Sequence, residues 1–205
     1  MKVRLVKASE FSIPVGTEVG FDIETTGVEI DSKVCVISVY NPILNEVNVI
    51  PLKVKGYRET QVGIDHMVNV LKDLVVFGHF LQFDLSICRK ELGFQPKVGG
   101  DSFLMARVLQ WKENGLKDIA EKRYPDHKFN RFGSVVNEGV ALGDDEVAEI
   151  SPDSYEMTKD FLTYCLFDAY LPYKIIREEE ARPLWVNYKR AYELEISFLN
   201  CIIQT

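Results

Sequence analysis

Residues 19–27 (VGFDIETTG) constrain the fold more than any other stretch, because two acids stand inside an otherwise apolar run. The apolar residues predict a strand that ends in the Thr25-Thr26-Gly27 turn. Side chains alternate across a strand, so Asp22 and Glu24 lie on the same face. Two adjacent carboxylates repel each other, and burying them unpaired costs free energy. A bound cation would compensate for this repulsion. The alternative is a solvated strand with two surface acids.

The rest of the chain predicts a first group of strands, after which strands and helices alternate. The predicted strands are residues 17–24, 34–40, 46–51 and 74–78, with a short edge strand expected within residues 1–10. The predicted helices are residues 59–73, 80–92, a segment through Val108 capped by Asp101, residues 115–123 and residues 184–203.

Three further segments are predicted from glycine and proline residues or from the absence of a period. Gly99 and Gly100 predict a turn ahead of the Asp101 cap. A long helix is expected from Ser151-Pro152 through Asp168, and Pro172 is expected to kink or split it. Residues 126–152 show no period and are predicted to form a long loop.

These elements predict an α/β fold with a mixed central sheet, an initial antiparallel meander and flanking helices. Residues 74–78 (LVVFG) are wholly apolar, which is typical of a buried central strand. Because strands 17–24 and 74–78 are the most apolar, we expect them to be neighbours. Asp22 would then lie near the turn that follows Gly78.

Composition narrows the function classes. The apolar share of 46% and the charged share of 27% are those of an ordinary globular protein. No apolar run reaches the roughly 18 residues that span a membrane, and the N-terminus lacks a signal-peptide pattern. The four scattered cysteines fit a reduced compartment, so we expect a cytoplasmic protein that is not secreted. A net charge of −7 argues against a protein that coats duplex nucleic acid, but not against an enzyme that grips a strand end.

Two further segments place an acid among apolar residues. Asp84 follows Phe83 in the first turns of a predicted helix, where the helix dipole alone would favour a surface acid. Tyr164 and Asp168 are four residues apart on another predicted helix and share a face, as an ordinary amphipathic pair also would. The surroundings of both acids resemble those of Asp22.

Taken together, the three segments resemble the exonuclease motifs of the DEDD superfamily of 3'-5' exonucleases. The matching stretches are residues 21–25 (FDIET), 78–84 (GHFLQFD) and 164–168 (YCLFD). The Tyr164-x-x-x-Asp168 form resembles the tyrosine-bearing branch. Residues 101–104 (DSFL) and 116–120 (LKDIA) also resemble the intervening region of proofreading domains in family A DNA polymerases.

The resemblance implies a ribonuclease H-like fold and hydrolysis of phosphodiesters by two Mg²⁺ or Mn²⁺ ions. It implies that Asp22 bridges both ions, that Glu24 and Asp168 complete one of them, and that Asp84 holds the other largely through water. Tyr164 would orient the attacking water. Four hard carboxylates suit Mg²⁺ or Mn²⁺ rather than zinc.

The resemblance also assigns substrate contacts to Thr25, Thr26, His79 and Phe80. Phe80 is a departure, because the family usually has asparagine at that position as a polar contact. An altered rate or altered positioning of the substrate is therefore expected. The metal-binding carboxylates are all present.

The expected function is removal of nucleotides from single-stranded or frayed DNA 3' ends, as in polymerase proofreading. Two alternatives remain: an RNA-trimming exonuclease that acts alone, and a weakened module that only docks a strand. Residues 1–180 are expected to form the exonuclease domain. Residues 181–205 either pack back onto it or connect to a polymerase partner, in cis or in trans, in a bacterial or phage-infected cell.

Overall fold

The computed structural model describes residues 1–29, 31–131 and 151–204 of the 205-residue chain. Its strands are β1 (Lys2–Leu5), β2 (Glu18–Thr25), β3 (Val34–Asn41), β4 (Glu46–Pro51), β5 (Lys53–Val54), β6 (Tyr57–Arg58), β7 (Val75–Gly78) and β8 (Lys97–Asp101). Its α-helices are α1 (Gln61–Leu71), α2 (Leu81–Leu92), α3 (Ser102–Val108), α4 (Leu116–Arg123), α5 (Lys159–Glu180) and α6 (Lys189–Gln204).

Six strands form one mixed sheet in the order β1-β4-β3-β2-β7-β8. The pairs β2–β3 and β3–β4 are antiparallel, which confirms the predicted meander. The pairs β1–β4, β2–β7 and β7–β8 are parallel. The predicted neighbours β2 and β7 are paired near the middle of the sheet, and β1 is an edge strand as expected. Helices flank this sheet, so the predicted α/β class is confirmed.

Four details of the predicted elements were wrong. The stretch read as a glycine turn is strand β8, in which Gly99 and Gly100 lie against the Phe77 ring and leave no room for a Cβ atom. Pro152 begins only a short 3₁₀ turn, and α5 starts after Thr158, whose hydroxyl accepts a hydrogen bond from the Phe161 N–H. Pro172 lies within α5 without splitting it, and the kink expected there stays a prediction.

The last helix also begins later than predicted. Pro183–Asn187 forms a 3₁₀ turn, and α6 starts at Lys189. Of the predicted loop over residues 126–152, residues 126–131 have no regular secondary structure, and residues 132–150 lie outside the described part of the chain.

A close approach between β2 and α5 sets the geometry of the sheet face that carries Asp22. A Cβ atom on Gly20 would lie 1.9 Å from the backbone oxygen of Ala169, so only glycine fits at this crossing. Ala169 is fully buried and follows Asp168 directly. The small residue in β2 therefore brings the helix that carries Asp168 down onto the strand that carries Asp22 and Glu24.

The C-terminal helix packs back onto the domain. Tyr192, Ile196 and Leu199 are buried in the same apolar cluster as residues of β7 and α2. The Tyr192 hydroxyl accepts a hydrogen bond from the Asp101 N–H at 2.7 Å, and the Asn200 side chain both accepts from the Val98 N–H and donates to the Val98 carbonyl. These side chains satisfy the outer edge of β8, where a further strand would otherwise pair.

Among the residues that the structure describes, no helix combines the length and apolarity needed to cross a membrane.

Candidate active site

Three acids meet where β2 and α5 cross. Asp22 and Glu24 extend from the same face of β2, and Asp168 comes from α5. One carboxylate oxygen from each of the three lies within 4.8 Å of the others. Glu24 and Asp168 are buried and Asp22 is half-buried, so the period-two spacing of Asp22 and Glu24 does produce a shared acidic face rather than two solvated surface acids.

Asp84 joins this group from the opposite side of β2. It lies in the first turn of α2, and its Oδ1 accepts a hydrogen bond from the Ile23 N–H at 3.2 Å. That N–H belongs to the residue between Asp22 and Glu24. The structure therefore brings all four predicted carboxylates to one stretch of β2, with Asp84 beside the cluster formed by the other three.

Burial and mutual repulsion both disfavour the charged forms of these acids. Burial raises the pKa of Asp22 well above its usual range, and the charges of Glu24, Asp168 and Asp84 raise it further. Burial likewise raises the pKa of Glu24, with added repulsion from Asp168 and Asp84. Burial raises the pKa of Asp84 to about 7 despite its hydrogen bond from Ile23.

The acids fit a hard divalent cation. Asp22 Oδ2 is buried and has no hydrogen-bond partner among the described residues, although a buried carboxylate oxygen normally has one. It faces a group of carboxylate oxygens, which are the ligands that Mg²⁺ and Mn²⁺ prefer. A cation bound there would satisfy that oxygen and offset the repulsion that raises the pKa values.

Tyr164 lies one helical turn before Asp168 and hydrogen-bonds to its carboxylate. Burial raises the pKa of Tyr164 well above its usual range, and the charges of Glu24, Asp168 and Asp22 raise it further. The phenol therefore stays protonated at neutral pH. It can hold a partner through a hydrogen bond but does not act as an anionic base.

The four predicted substrate contacts differ in how free their side chains are. The Thr25 hydroxyl donates to the Gly27 carbonyl, and the Thr26 hydroxyl accepts from the Lys33 N–H at 2.9 Å, so both close the turn after β2. His79 Nδ1 lies 2.9 Å from the Ser102 hydroxyl. Burial and the charge of Lys117 lower the pKa of His79 to about 4, so the imidazole is neutral at pH 7.

Phe80 is the exposed member of that group. Its side chain is 47% exposed, and its backbone is left-handed, with φ 59° and ψ 43°. Asp101 holds this conformation: its Oδ1 accepts from the Phe80 N–H at 3.2 Å and its Oδ2 from the Leu81 N–H at 2.7 Å. The Phe80 ring packs edge-on against Phe103, with centroids 5.1 Å apart.

Three residues at the site were not identified by sequence reasoning as part of it. Lys117 forms an ion pair with Asp168, and no spacing rule connects the two. Asp101 was predicted only as a helix cap, which it is, but it also holds Phe80. Tyr155 is fully buried, and its hydroxyl donates to the Thr25 carbonyl at the end of β2. A lone tyrosine before a helix carries no sequence signal for that contact.

Solved structures share this fold. Brucella melitensis NrnC has 16% sequence identity and a TM-score of 0.69, with 99% of this chain and 92% of that chain covered. Escherichia coli RNase D, described as an exoribonuclease of structured RNA processing, has 13% identity and a TM-score of 0.62, with 93% and 46% covered. The catalytic core of Trypanosoma brucei RRP6 has 14% identity and a TM-score of 0.61, with 92% and 46% covered. The fold is thus the expected ribonuclease H-like one.

A search of curated protein sequences finds no significant match. A protein-family model described as 3'-5' exonuclease matches residues 5–176, which contain strands β2–β8, all four acids and Tyr164. DEDD exonucleases of this kind use divalent metal ions, and NrnC has been solved with bound Mg²⁺. This chain belongs to the 3'-5' exonuclease family of the DEDD superfamily and is a phosphodiester hydrolase.

Proposed function

We propose that this chain removes nucleotides one at a time from the 3' end of a DNA strand, with Asp22, Glu24, Asp84 and Asp168 as the metal-binding acids. The observation that carries the proposal is the buried acidic cluster with the unpartnered Asp22 Oδ2. A group of buried carboxylates with raised pKa values destabilises the fold, so its presence where β2 and α5 cross supports a functional site there.

In this reaction water attacks the last phosphodiester, and the bond from phosphorus to the 3' oxygen of the preceding nucleotide breaks. Divalent cations at the site would stabilise the negative charge that develops on the phosphate and on the attacking and leaving oxygens. Asp22 would bridge two such ions, Glu24 and Asp168 would hold one, and Asp84 would hold the other. The protonated Tyr164 hydroxyl would orient the water beside Asp168.

The exposed Phe80 ring supplies a surface on which the terminal base of a frayed strand can stack. Phe80 is the N-cap of α2, the helix that carries Asp84, and its ring packs edge-on against Phe103, which supports it. Stacking on aromatic side chains is a sequence-tolerant way to hold an unpaired base. Two segments would support the substrate. The turn after β2 is stabilised by Thr25 and Thr26, and the β7–α2 junction is stabilised by His79.

RNA is the second candidate substrate. Two structural similarities favour RNA. One is the similarity to NrnC over nearly the full length of both chains, and NrnC has also been solved bound to pGG. The other is the similarity to the exoribonuclease RNase D. DNA and RNA strands end in the same phosphodiester, and the acids described above act on that group alone. The third alternative, a strand-docking module without catalysis, is not favoured by any described feature, since all four acids are in place.

The proofreading form of the proposal also needs a polymerase body, in cis or in trans, and this stays a prediction, as does a cytoplasmic location. The same holds for the division at residue 180. On α6, Leu194 and Phe198 are 63% and 64% exposed, whereas the other face of the helix is buried on this domain. A polymerase body would have to use this outer face.

The test is a strand-shortening assay on the full chain. Oligonucleotides of DNA and RNA labelled at the 5' end are incubated with Mg²⁺ or Mn²⁺, as single strands and as duplexes with a mismatched 3' end. We expect a ladder that grows from the 3' end, with frayed DNA shortened faster than RNA. Faster shortening of RNA would replace the first candidate with the second, and no shortening of either would overturn the proposal.

Asp22→Asn provides the matched inactive variant. It removes the charge of the bridging acid with little change in size, and we expect shortening to slow by roughly 10²–10³-fold or more, the scale on which single groups stabilise transition-state charge. Asp73→Asn, at an exposed acid far along the chain, is the control and should shorten strands at the normal rate. Retained cleavage in Asp22→Asn would remove Asp22 from the mechanism.

A further inference from the structure

Lys117 is a basic residue placed inside the acidic cluster. It lies in the first turn of α4, its side chain is only 11% exposed, and its ammonium group forms an ion pair with Oδ1 of Asp168. The same ammonium lies over the Tyr164 ring, 4.8 Å from the centroid. Lysine is almost never buried unless it is paired with an acid, so the position of Lys117 depends on its acidic neighbours.

The reason lies in the charge of the cluster. Asp22, Glu24, Asp84 and Asp168 bring four carboxyl groups together, and the Lys117 charge opposes the pKa increases of Asp22, Glu24 and Asp168. By contrast, Lys122 on the same helix pairs with Glu113 on the exposed surface. Lys117 therefore supplies positive charge at the point where the proposed mechanism needs a divalent cation.

The two cations cannot both use Asp168 fully. An ammonium group on Oδ1 occupies lone pairs that a metal ligand must offer, and two cations on one carboxylate repel each other. Lysine suits an exchange of this kind, because it is a compact charge on a flexible four-carbon stem. A bidentate arginine would be harder to release.

We propose that Lys117 is a built-in counterion that pairs with Asp168 in the metal-free enzyme and leaves that carboxylate when a divalent cation binds. The proposal rests on the proposed function, since it takes Asp168 as a metal ligand. It goes beyond that function by making metal loading an exchange of one cation for another. The ion pair stabilises the empty site and at the same time weakens its affinity for metal.

The first test uses the unaltered chain. Lysine side chains are labelled by reductive methylation with EDTA or with Mn²⁺, in the absence of nucleic acid, and the extent of labelling at each lysine is read by mass spectrometry. We expect labelling of Lys117, relative to Lys122 as internal reference, to rise several-fold on addition of Mn²⁺. Unchanged or reduced labelling of Lys117 would show that its ammonium stays in place, and would overturn the proposal.

The second test compares Lys117→Met with the control Lys122→Met by calorimetric titration with Mn²⁺. Without a competing ammonium, Lys117→Met should bind Mn²⁺ more tightly, on the order of tenfold, the usual scale of coupling between two ligands. Its metal-free form should melt at a lower temperature than the unaltered chain, and Lys122→Met should match that chain in both measurements.

Equal or weaker Mn²⁺ binding by a folded Lys117→Met would contradict the exchange. Unchanged affinity is the result expected if Lys117 instead held the substrate phosphate. Should Lys117→Met fail to fold, the labelling result on the unaltered chain decides alone. Both measurements omit nucleic acid. If Mn²⁺ displaces Lys117 but the chain shortens no strand, the proposed function is overturned and this inference stands. If the chain shortens strands but Lys117 stays on Asp168 in Mn²⁺, this inference is overturned and the proposed function stands.

Discussion

At the scale of single residues, Phe80 combines two features that are each unfavourable. A left-handed backbone costs a non-glycine residue about 1–2 kcal/mol, and the exposed ring gains little from burial. The buried carboxylate of Asp101 compensates by accepting from the Phe80 and Leu81 N–H groups. Strain that the fold holds in place beside a catalytic site is typical of a functional position.

Phe80→Asn separates the backbone role from the role of the ring. Asparagine tolerates the left-handed conformation better than phenylalanine, so we expect an equal or higher melting temperature. Loss of the stacking surface should raise KM for a single-stranded DNA oligonucleotide by about tenfold, since stacking contributes about 1–3 kcal/mol per base. Phe80→Tyr keeps the ring and should retain the normal KM. A faster Phe80→Asn enzyme would show instead that Phe80 limits the reaction.

Tyr164→Phe tests the hydroxyl group alone. Because the phenol stays protonated and is not one of the four metal-binding acids, Mn²⁺ binding should be unchanged while kcat falls by roughly 10²-fold, the lower end of the range for positioned proton-transfer groups. The pH dependence of kcat should keep its shape over pH 6–9. Tyr170→Phe, on the same helix, is the control. A kcat within twofold of normal in Tyr164→Phe would exclude the water-orienting role.

The site residues divide by how local their signals are. Asp22 and Glu24 were predictable because period-two spacing fixes their shared face, and Tyr164 and Asp168 because four-residue spacing places them one helical turn apart. The pairing of Lys117 with Asp168 depends on where α4 packs against α5, which no local pattern encodes. Resemblance marked the segment around Lys117 but assigned it no role.

At the scale of elements, neither Pro152 nor Pro172 sets a boundary of helix α5. Pro152 suits a helix start, but the chain first uses Tyr155 to reach the Thr25 carbonyl, and α5 begins only after Thr158 provides a cap. Pro172 lacks an N–H group, yet α5 continues past it because both turns around it are buried against the sheet. Tertiary packing thus overrides the local preference in both places.

Gly20→Ala tests whether the crossing of β2 and α5 sets the site. The added Cβ would lie 1.9 Å from the backbone oxygen of Ala169, so α5 must move away from β2 and carry Asp168 with it. We expect a loss of about 1–3 kcal/mol in the free energy of unfolding, the usual effect of overpacking, together with weaker Mn²⁺ binding. Denaturant unfolding and calorimetry measure the two effects.

Gly63→Ala is the matched control for that substitution. Its Cβ would meet the Glu59 carboxylate and the Thr60 hydroxyl rather than backbone. It lies in α1, which carries none of the four acids, so it should leave Mn²⁺ affinity near normal whatever its effect on stability. If Gly20→Ala lost stability but kept its Mn²⁺ affinity, the crossing would support the fold without determining the position of Asp168.

At the scale of the whole molecule, the acidic cluster couples stability to pH. The folded-state pKa of Asp84 is about 7, raised mainly by burial, and burial also raises the pKa values of Asp22 and Glu24, whereas the unfolded chain has ordinary carboxylates. Between about pH 4 and pH 7 these acids therefore bind more protons in the folded chain than in the unfolded chain, and the opposite contribution of His79, whose pKa burial lowers to about 4, offsets only part of this difference. Stability must then fall as pH rises through that window, which is the reverse of the behaviour of a salt-bridged acid.

We therefore expect the metal-free chain, in EDTA, to melt about 5–10 °C lower at pH 8 than at pH 5, from about 1.4 kcal/mol per pKa unit and about 2–4 °C per kcal/mol. Saturating Mg²⁺ should raise the melting temperature more at pH 8 than at pH 5, because a cation replaces the protons that offset the repulsion. Asp22→Asn removes one of the repelling charges and should flatten the pH dependence in EDTA, whereas Asp73→Asn should not. A melting temperature that rises from pH 5 to pH 8 without metal would mean that the four acids are charged and internally compensated, and that metal binding is not what stabilises this site.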